Sequence, residues 1–197
     1  MSVPVLDAKI AEVRARSLQA AVAQVTSPFS LQSQVQDWGG RAWAYDIQLT
    51  PTEGADGRAL SVFFDALAGA FGRFLFADPS IDQSVPGSPV VNGAGQTGET
   101  LSVGGLTPSA LAFRVGDFFS LGSGLNTRLY RVTADVTADA SGEASLPIIP
   151  RLRSSPDDNA ALEVVAPKVL LRMVGPAPTS ISPAMIHRFS FSAVEAI

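Results

Sequence analysis

Three glycines of this chain have the spacing of a dinucleotide-binding loop. Gly93, Gly95 and Gly98 match the pattern G-x-G-x-x-G, in which a helix must follow at once and hold the pyrophosphate at its N-terminus. The next residues, 99–105, have the pattern of a strand that runs into another glycine turn. We therefore predict a glycine turn inside a β domain at this position, with no nucleotide or other cofactor bound there.

A second group of residues carries the oxygen atoms that Ca²⁺ prefers as ligands. Asp135, Asp139, Ser141 and Glu143 lie close together in sequence. Their spacing matches no calcium-binding loop, and the segment from Asp139 to Gly142 has the residue types of a hairpin turn. We therefore expect a turn and no metal site.

The remaining candidate for chemistry is His187, the only histidine, in a chain that has no cysteine. This composition excludes disulfides, thiolate nucleophiles, Cys-ligated metals and multi-histidine metal sites. A catalytic histidine needs a positioned nucleophile and an orienting acid, but the chain contains no G-x-S-x-G motif and nothing selects a pair among its 18 acidic residues. We therefore expect His187 to be a hydrogen-bonded interface residue in a protein that is not an enzyme, with no catalytic, cofactor-binding or metal-binding residues.

The composition predicts a folded protein that is partly covered by partners. The 197 residues are 46% hydrophobic and only 16% charged, with a mean hydropathy of +0.24 and a net charge of −4. This is enough apolar material for a sizeable core, in one large domain or two small ones. Because no basic stripe is visible, a nucleic-acid binder is not expected. The apolar runs are shorter than the roughly 18 residues that span a bilayer, so we expect neither a signal peptide nor a membrane anchor.

The predicted strands and helix are clearest between residues 43 and 79. Alternating apolar side chains predict a strand with one buried face, a helix follows, and residues 73–79 predict a second strand that ends at Pro79. The helix is expected to end at Gly69 and Gly72. The alternating residues are Trp43, Tyr45, Ile47 and Leu49, and the expected helical stripe, spaced to face one core, is Leu60, Phe63, Phe64, Leu67 and Phe71.

Before this unit the pattern is less regular. We predict a strand from about Ser17 onward and a break at residues 26–28. A polar strand over residues 32–36 is then expected to turn back at Asp37–Gly40 and pair with the Trp43 strand.

After Pro79 the composition changes, because prolines and glycines accumulate and the predicted strands become short. Turn signals recur every 8 to 12 residues or so, which favours a small barrel or sandwich. One of these strands is expected to place Tyr130, Val132, Ala134 and Val136 on one face. Longer strands return after the linker 154–159. We therefore predict a mainly β chain with a discontinuous outer domain, 1–83 and 155–197, and an inserted module, 84–154.

Read in order, these segments resemble the distal tail, or minor tail, proteins at the tail tip of long-tailed, non-contractile bacteriophages. The resemblance covers most of the chain and departs from the family up to Thr26. The matching segments are Ser27–Ser30 before the Gln-rich strand, Gly40–Trp43, the helix with Phe74–Pro79, Val91–Gly98, the block from Gly116 through Arg131–Asp135 to Pro150–Arg153, and Phe189–Ala196.

The resemblance implies a fold and a role. The outer domain would be a ring-forming β-sandwich, or belt, with one amphipathic helix, and the insertion a small β-barrel that is OB-like or galectin-like. The protein would be a structural virion protein, assembled in the host cytoplasm, that forms a ring, expected to be hexameric, at the distal end of the tail tube. Its partners would be itself, the tube protein, and the tape measure and tail-tip hub or baseplate proteins, while DNA passes through the lumen without specific binding.

Two alternatives remain open at this point. The chain could be another tail or neck ring component of the tail terminator type. It could also be a carbohydrate-binding module, in which the barrel at 86–152 contacts host surface glycans through exposed aromatic side chains.

Overall fold

The structure, a computed structural model, describes residues 3–7 and 11–197. Within these residues the chain forms one α-helix and fifteen strands, which confirms the predicted mainly β class with a single helix. In chain order the strands are β1 (Val5–Leu6), β2 (Ala11–Thr26), β3 (Ser33–Leu49), β4 (Thr52–Glu53), β5 (Phe74–Ala77), β6 (Gly87–Val91), β7 (Thr100–Leu106), β8 (Leu111–Phe113), β9 (Phe118–Leu121), β10 (Arg128–Val132), β11 (Val136–Thr137), β12 (Ala144–Ile149), β13 (Lys168–Met173), β14 (Thr179–Ile181) and β15 (Ile186–Glu195), and the helix is α1 (Gly54–Ala66).

The larger sheet has the strand order β1-β5-β13-β15-β3-β2, and β4 and β14 both pair with β15. Alternating apolar side chains in β3 and β15 define the inner face of this sheet. Across the two strands, Ile47 lies opposite Phe191 and Tyr45 lies opposite Ala193. All four alternating residues of β3 are buried, as predicted. The apolar period of two therefore determines which face of this sheet carries the core.

Helix α1 covers part of that inner face. The ring of Phe64 lies 5.3 Å from that of Phe189 and 5.0 Å from that of Phe191. The prediction that Phe71 belongs to the same stripe is wrong, because this side chain is 89% exposed. The helix ends before Gly69: Ala68 takes a left-handed conformation, and the Gly72 amide donates to the carbonyl oxygen of Leu67 at 2.7 Å. The chain therefore leaves the helical path before it reaches Phe71.

The N-terminal half of the sheet differs from the prediction. Residues 37–40 do not turn the chain back, because they lie inside the continuous strand β3, whose partner is β2. Between the pairs Ala20–Arg41 and Val22–Asp37, three residues of β3 face one residue of β2. Gly39, at φ 73°, allows this bulge. The glycines therefore bend a strand, and the actual turn lies at residues 27–32.

A second sheet, with the order β6-β7-β12-β10-β9, is curled into a half-barrel, and β8 pairs with β11 beside it. The predicted strand from Tyr130 to Val136 is broken in two. The Thr133 amide donates to Pro147, Ala134 and Asp135 are exposed, and Val136 pairs with Phe113. The second core is formed mainly by Val91, Leu101, Val103, Phe113, Phe119, Tyr130, Val132, Leu146 and Ile148.

The two sheets are joined by both apolar and polar contacts. Phe118 and Leu129 of the half-barrel strands pack in the core of the large sheet, and the Trp43 indole donates to the Leu129 carbonyl at 3.0 Å. Residues after the predicted linker also reach the half-barrel, since Glu163 bridges to Ser120. The division at residues 84 and 154 stays a prediction. Among the described residues, no helix is long and apolar enough to cross a membrane.

Candidate assembly surface

The three glycines with dinucleotide-loop spacing lie in a loop between β6 and β7. Gly93, Gly95 and Gly98 all have positive φ angles, and the Gln96 side chain fills the loop by donating to the Asn92 and Gly93 carbonyls at 2.9 Å each. The chain then enters β7 and not a helix. The loop therefore has no helix N-terminus to hold a phosphate, in agreement with the prediction of a turn.

The acidic candidates lie at two separate turns. Asp139 accepts hydrogen bonds from the Ser141 amide at 2.8 Å and from the Glu143 amide at 2.9 Å. These bonds, the one from Glu143 first, lower the pKa of Asp139. Asp135 accepts from the Val115 amide at 2.7 Å. In the part of the chain that the structure describes, no three His, Asp or Glu side chains are grouped as a metal would require.

His187 is only 4% exposed and lies between helix α1 and the sheet. Its ring stacks on that of Phe189 at 6.3 Å, and Gly57 packs so closely that a Cβ there would lie 2.4 Å from the imidazole Cδ2. Neither ring nitrogen has a hydrogen-bond partner among the described residues. The prediction of a hydrogen-bonded histidine is therefore wrong, because the close approach of Gly57 and the stacked Phe189 surround the ring with apolar contacts.

The most unusual surface is the outer half of the β2–β3 hairpin, residues 19–40, which we call the arm. Every residue of the arm except Ser27 is exposed, so neither face of this two-stranded ribbon is covered. Phe29 at its tip is 98% exposed. The only charged residue in the arm is Asp37. The exposed large apolar side chains of the arm are Val22, Val25, Phe29, Leu31, Val35 and Trp38.

The arm is held in shape by its own polar contacts. At the tip, the Ser27 amide donates to the Gln32 carbonyl at 2.9 Å, and the Leu31 amide donates to the Ser27 carbonyl at 3.0 Å. At the base, Arg41 donates to Asp37 at 2.8 Å, as does the Gly39 amide. The Arg41 contact and then the Gly39 contact hold the pKa of Asp37 well below its usual range. The ribbon therefore projects from the sheet with a defined tip and a defined base.

Such a ribbon lacks the features that protect free strands from association. Natural edge strands are shortened, charged or interrupted by proline. The arm has a long edge strand, one charge and apolar side chains on its two exposed faces, and isolated two-stranded ribbons are marginally stable in water. We infer that the arm is a surface that another protein covers.

The outer face of the large sheet is more polar than the arm. Across neighbouring strands, Ser17 lies opposite Ala44, which lies opposite Val194. In the next row Ala15, Asp46 and Ser192 are opposite one another, and Ser192 donates to Asp46. Apart from Val194, these side chains are small or polar, and all of them are exposed or half-buried. The same face also carries two arginines, because Arg172 lies opposite Val194 and Arg188 shares the outward alternation of Ser190 and Ser192 in β15.

No protein-family model matches the chain, and a search of curated proteins found no significantly similar sequence. The geometry of these surfaces is therefore the main indication of a function. The sequence pattern does not predict the arm, because a polar strand followed by two glycines is also typical of a separate short hairpin. The signal that could have revealed it is the near absence of charge from residue 19 to residue 40.

Proposed function

We propose that this chain is a structural ring subunit of a bacteriophage virion. Copies of it, expected to number six, close into a ring at the distal end of a tail tube and join that tube to the tail-tip or baseplate proteins. The subunit binds copies of itself, the tube protein, and tape measure and hub proteins, and it performs no catalysis. It is assembled in the host cytoplasm and acts in the tail tip, where DNA passes through its lumen without specific binding.

The single observation that carries this proposal is the uncovered arm. A closed ring requires two different surfaces on each subunit, one of which fits the other on the next copy. An arm that extends roughly 20 Å beyond the sheet, at about 3.3 Å per residue, reaches past its own domain. Because it carries one charge and six exposed large apolar side chains, its contact with a neighbour gains mainly from apolar burial.

The outer face of the large sheet gives further support. A lumen through which DNA slides should not hold phosphates, so it needs small or acidic side chains and few exposed cations. The row of Ala15, Asp46 and Ser192 meets this requirement, whereas the neighbouring row of Ser17 and Ala44 ends in Arg172. We propose that this face lines the lumen, while the half-barrel projects away from the ring.

The carbohydrate-binding alternative receives less support from the half-barrel. Its aromatic residues Phe113, Phe119 and Tyr130 are buried in the second core, so they cannot stack on a sugar ring. A tail terminator, which would be a ring at the other end of the tube, uses the same kind of surfaces and is the second candidate.

An electron-microscopy map of the phage particle that contains this chain tests the proposal directly. We expect a closed ring at the distal end of the tail tube, with the large sheets around the lumen. A ring at the end of the tube next to the head would favour the terminator alternative. A position in the capsid shell, or single copies outside any ring, would contradict the proposal.

A pair of variants tests the arm. We expect Phe29→Ser combined with Leu31→Ser to prevent incorporation into tails in a complementation assay, because the apolar tip is lost. The melting temperature of the purified chain should stay within a few degrees, since these side chains are 98% and 78% exposed. Phe71→Ser is the matched control, because Phe71 is a similarly exposed phenylalanine away from the arm. Normal tails from the double variant would contradict the role of the arm.

A further inference from the structure

A groove between the edge of the large sheet and the half-barrel collects three arginines from distant parts of the chain. We call it the arginine groove. The arginines are Arg14 and Arg16 of β2 and Arg131 of β10, and Trp43 and Ser80 lie beside them. None of these lining residues is acidic.

The fold positions each guanidinium group. A bulge in β2 leaves Arg14 as an extra residue between the pairs Val13–Ile47 and Ala15–Asp46, and bulges are a common means of redirecting a side chain. Arg16 and Arg131 both lie against the ring of Phe118, with guanidinium carbons 4.3 and 5.3 Å from its centroid. These cation–π contacts fix both guanidinium groups beside the groove.

The charges in the groove do not balance. Arg16 is paired with the buried carboxylate of Asp78. Arg14 and Arg131 form no ion pair with any residue that the structure describes, and both are exposed. Three positive charges thus face one negative charge, in a chain whose net charge is −4. The groove is a local excess of positive charge on an acidic protein.

We propose that the arginine groove receives a carboxylate side chain from a neighbouring copy of this chain. This inference rests on the proposed ring. Guanidinium groups bind carboxylates through paired hydrogen bonds, and the 18 acidic residues of each copy make carboxylates the most abundant anions at a contact between copies. A phosphate backbone fits less well, because it needs a row of cations and the groove offers only two that lack an ion pair.

Chemical coupling identifies the occupant. In the variants Arg14→Lys and Arg131→Lys, a carbodiimide activates a nearby carboxylate, and the new amine forms an amide with it as water is transferred to the reagent. The natural chain has only two lysines, so the background is low. We expect amide links between two chains from both variants, mapped by mass spectrometry, and none from the control Arg58→Lys on α1. Links confined within one chain, or no links at positions 14 and 131, would overturn the proposal.

Charge reversal provides the second test and separates the possible failures. We expect Arg14→Glu with Arg131→Glu to lower ring formation at least tenfold, with unchanged thermal unfolding, while Arg58→Glu has no such effect. Rings that form normally from the double variant would refute the groove contact but leave the ring function intact. Absence of rings from the natural chain in the virion would refute the ring function itself. If the natural chain binds a labelled 20-base-pair DNA and the double variant does not, the groove binds phosphate and the proposal is wrong.

Discussion

At the scale of single residues, the two tyrosines report on the two cores. Tyr45 is buried in the core of the large sheet, and Tyr130 is buried in that of the half-barrel. Burial raises the pKa of both phenols, and for Tyr45 the nearby Asp78 carboxylate raises it further. Because the chain contains only these two tyrosines, phenolate absorbance can be assigned to the cores without mutation.

We expect alkaline titration to release both phenol protons late. A group whose pKa is raised by folding contributes stability below the pKa of the unfolded chain, about 10, and loses that contribution as the pH rises towards the raised value. At pH 11 the folded protein should show less phenolate absorbance at 295 nm than the unfolded chain, and its free energy of unfolding should be falling. The protein in guanidinium chloride should titrate near 10. A folded protein that titrates near 10 as well would contradict the burial of both rings.

The ion pair between Arg153 and Glu195 gives a second prediction at this scale. The Glu195 side chain is 0% exposed, and it accepts from Arg153 at 2.6 Å and from the Trp43 amide at 3.2 Å. Arg153→Met should lower the free energy of unfolding by about 3–5 kcal/mol, because a buried carboxylate loses its cation. Chemical denaturation followed by tryptophan fluorescence measures this loss.

A second substitution separates lost charge from lost packing. Adding Glu195→Gln to Arg153→Met should restore part of the stability, because the amide oxygen can still accept from the Trp43 amide and carries no charge. If the double variant is less stable than Arg153→Met alone, the buried charge is not the cause of the loss.

The sequence alone does not predict the contacts that these charged side chains make with distant residues. Arg16 and Arg131, or Arg153 and Glu195, are brought together only by the packing of one sheet on the other. Their local sequence shows nothing but a charged residue in or beside a strand. The glycine loop and the Asp139 turn could be predicted, because glycine conformations and short-range hydrogen bonds depend on neighbouring residues alone.

At the scale of secondary structure, helix α1 offers a matched pair of phenylalanines. Phe64→Ala should lower the free energy of unfolding by about 3–5 kcal/mol, since it leaves a cavity beside Phe189 and Phe191. Phe71→Ala should change it by less than about 0.5 kcal/mol, because the ring lies in solvent. Urea unfolding of both variants measures the difference. Equal effects would mean that the helix ends later than the structure shows.

The same helix shows how far periodicity predicts structure. Leu60, Phe63, Phe64 and Leu67 follow the stripe and pack on the core. The pattern extended to Phe71 by coincidence, since spacing alone does not reveal the left-handed residue at Ala68 that stops the helix. In β3, the two glycines indicated a turn, but pairing with the long strand β2 converted them into a bulge.

At the scale of the whole molecule, the arm should be the first segment that a protease reaches. Chymotrypsin cuts after large apolar residues, and Phe29, Leu31 and Trp38 are all highly exposed. We expect a first cut in the arm that leaves the thermal unfolding of the remaining fold unchanged. In assembled rings the same sites should be protected. First cuts within the half-barrel, or equal cutting in the ring, would contradict this description.

The contacts between the two sheets also have a mechanical consequence. Gln83 donates to the Val164 carbonyl at 2.8 Å and accepts from the Phe118 amide at 2.7 Å, where the chain enters the half-barrel. Arg153 forms an ion pair with Glu195 where the chain leaves the half-barrel. A force applied to the half-barrel would therefore act on the Arg153–Glu195 ion pair, which joins the end of the half-barrel to the last strand of the large sheet. In the proposed ring, such a force would reach the sheet that we propose lines the lumen.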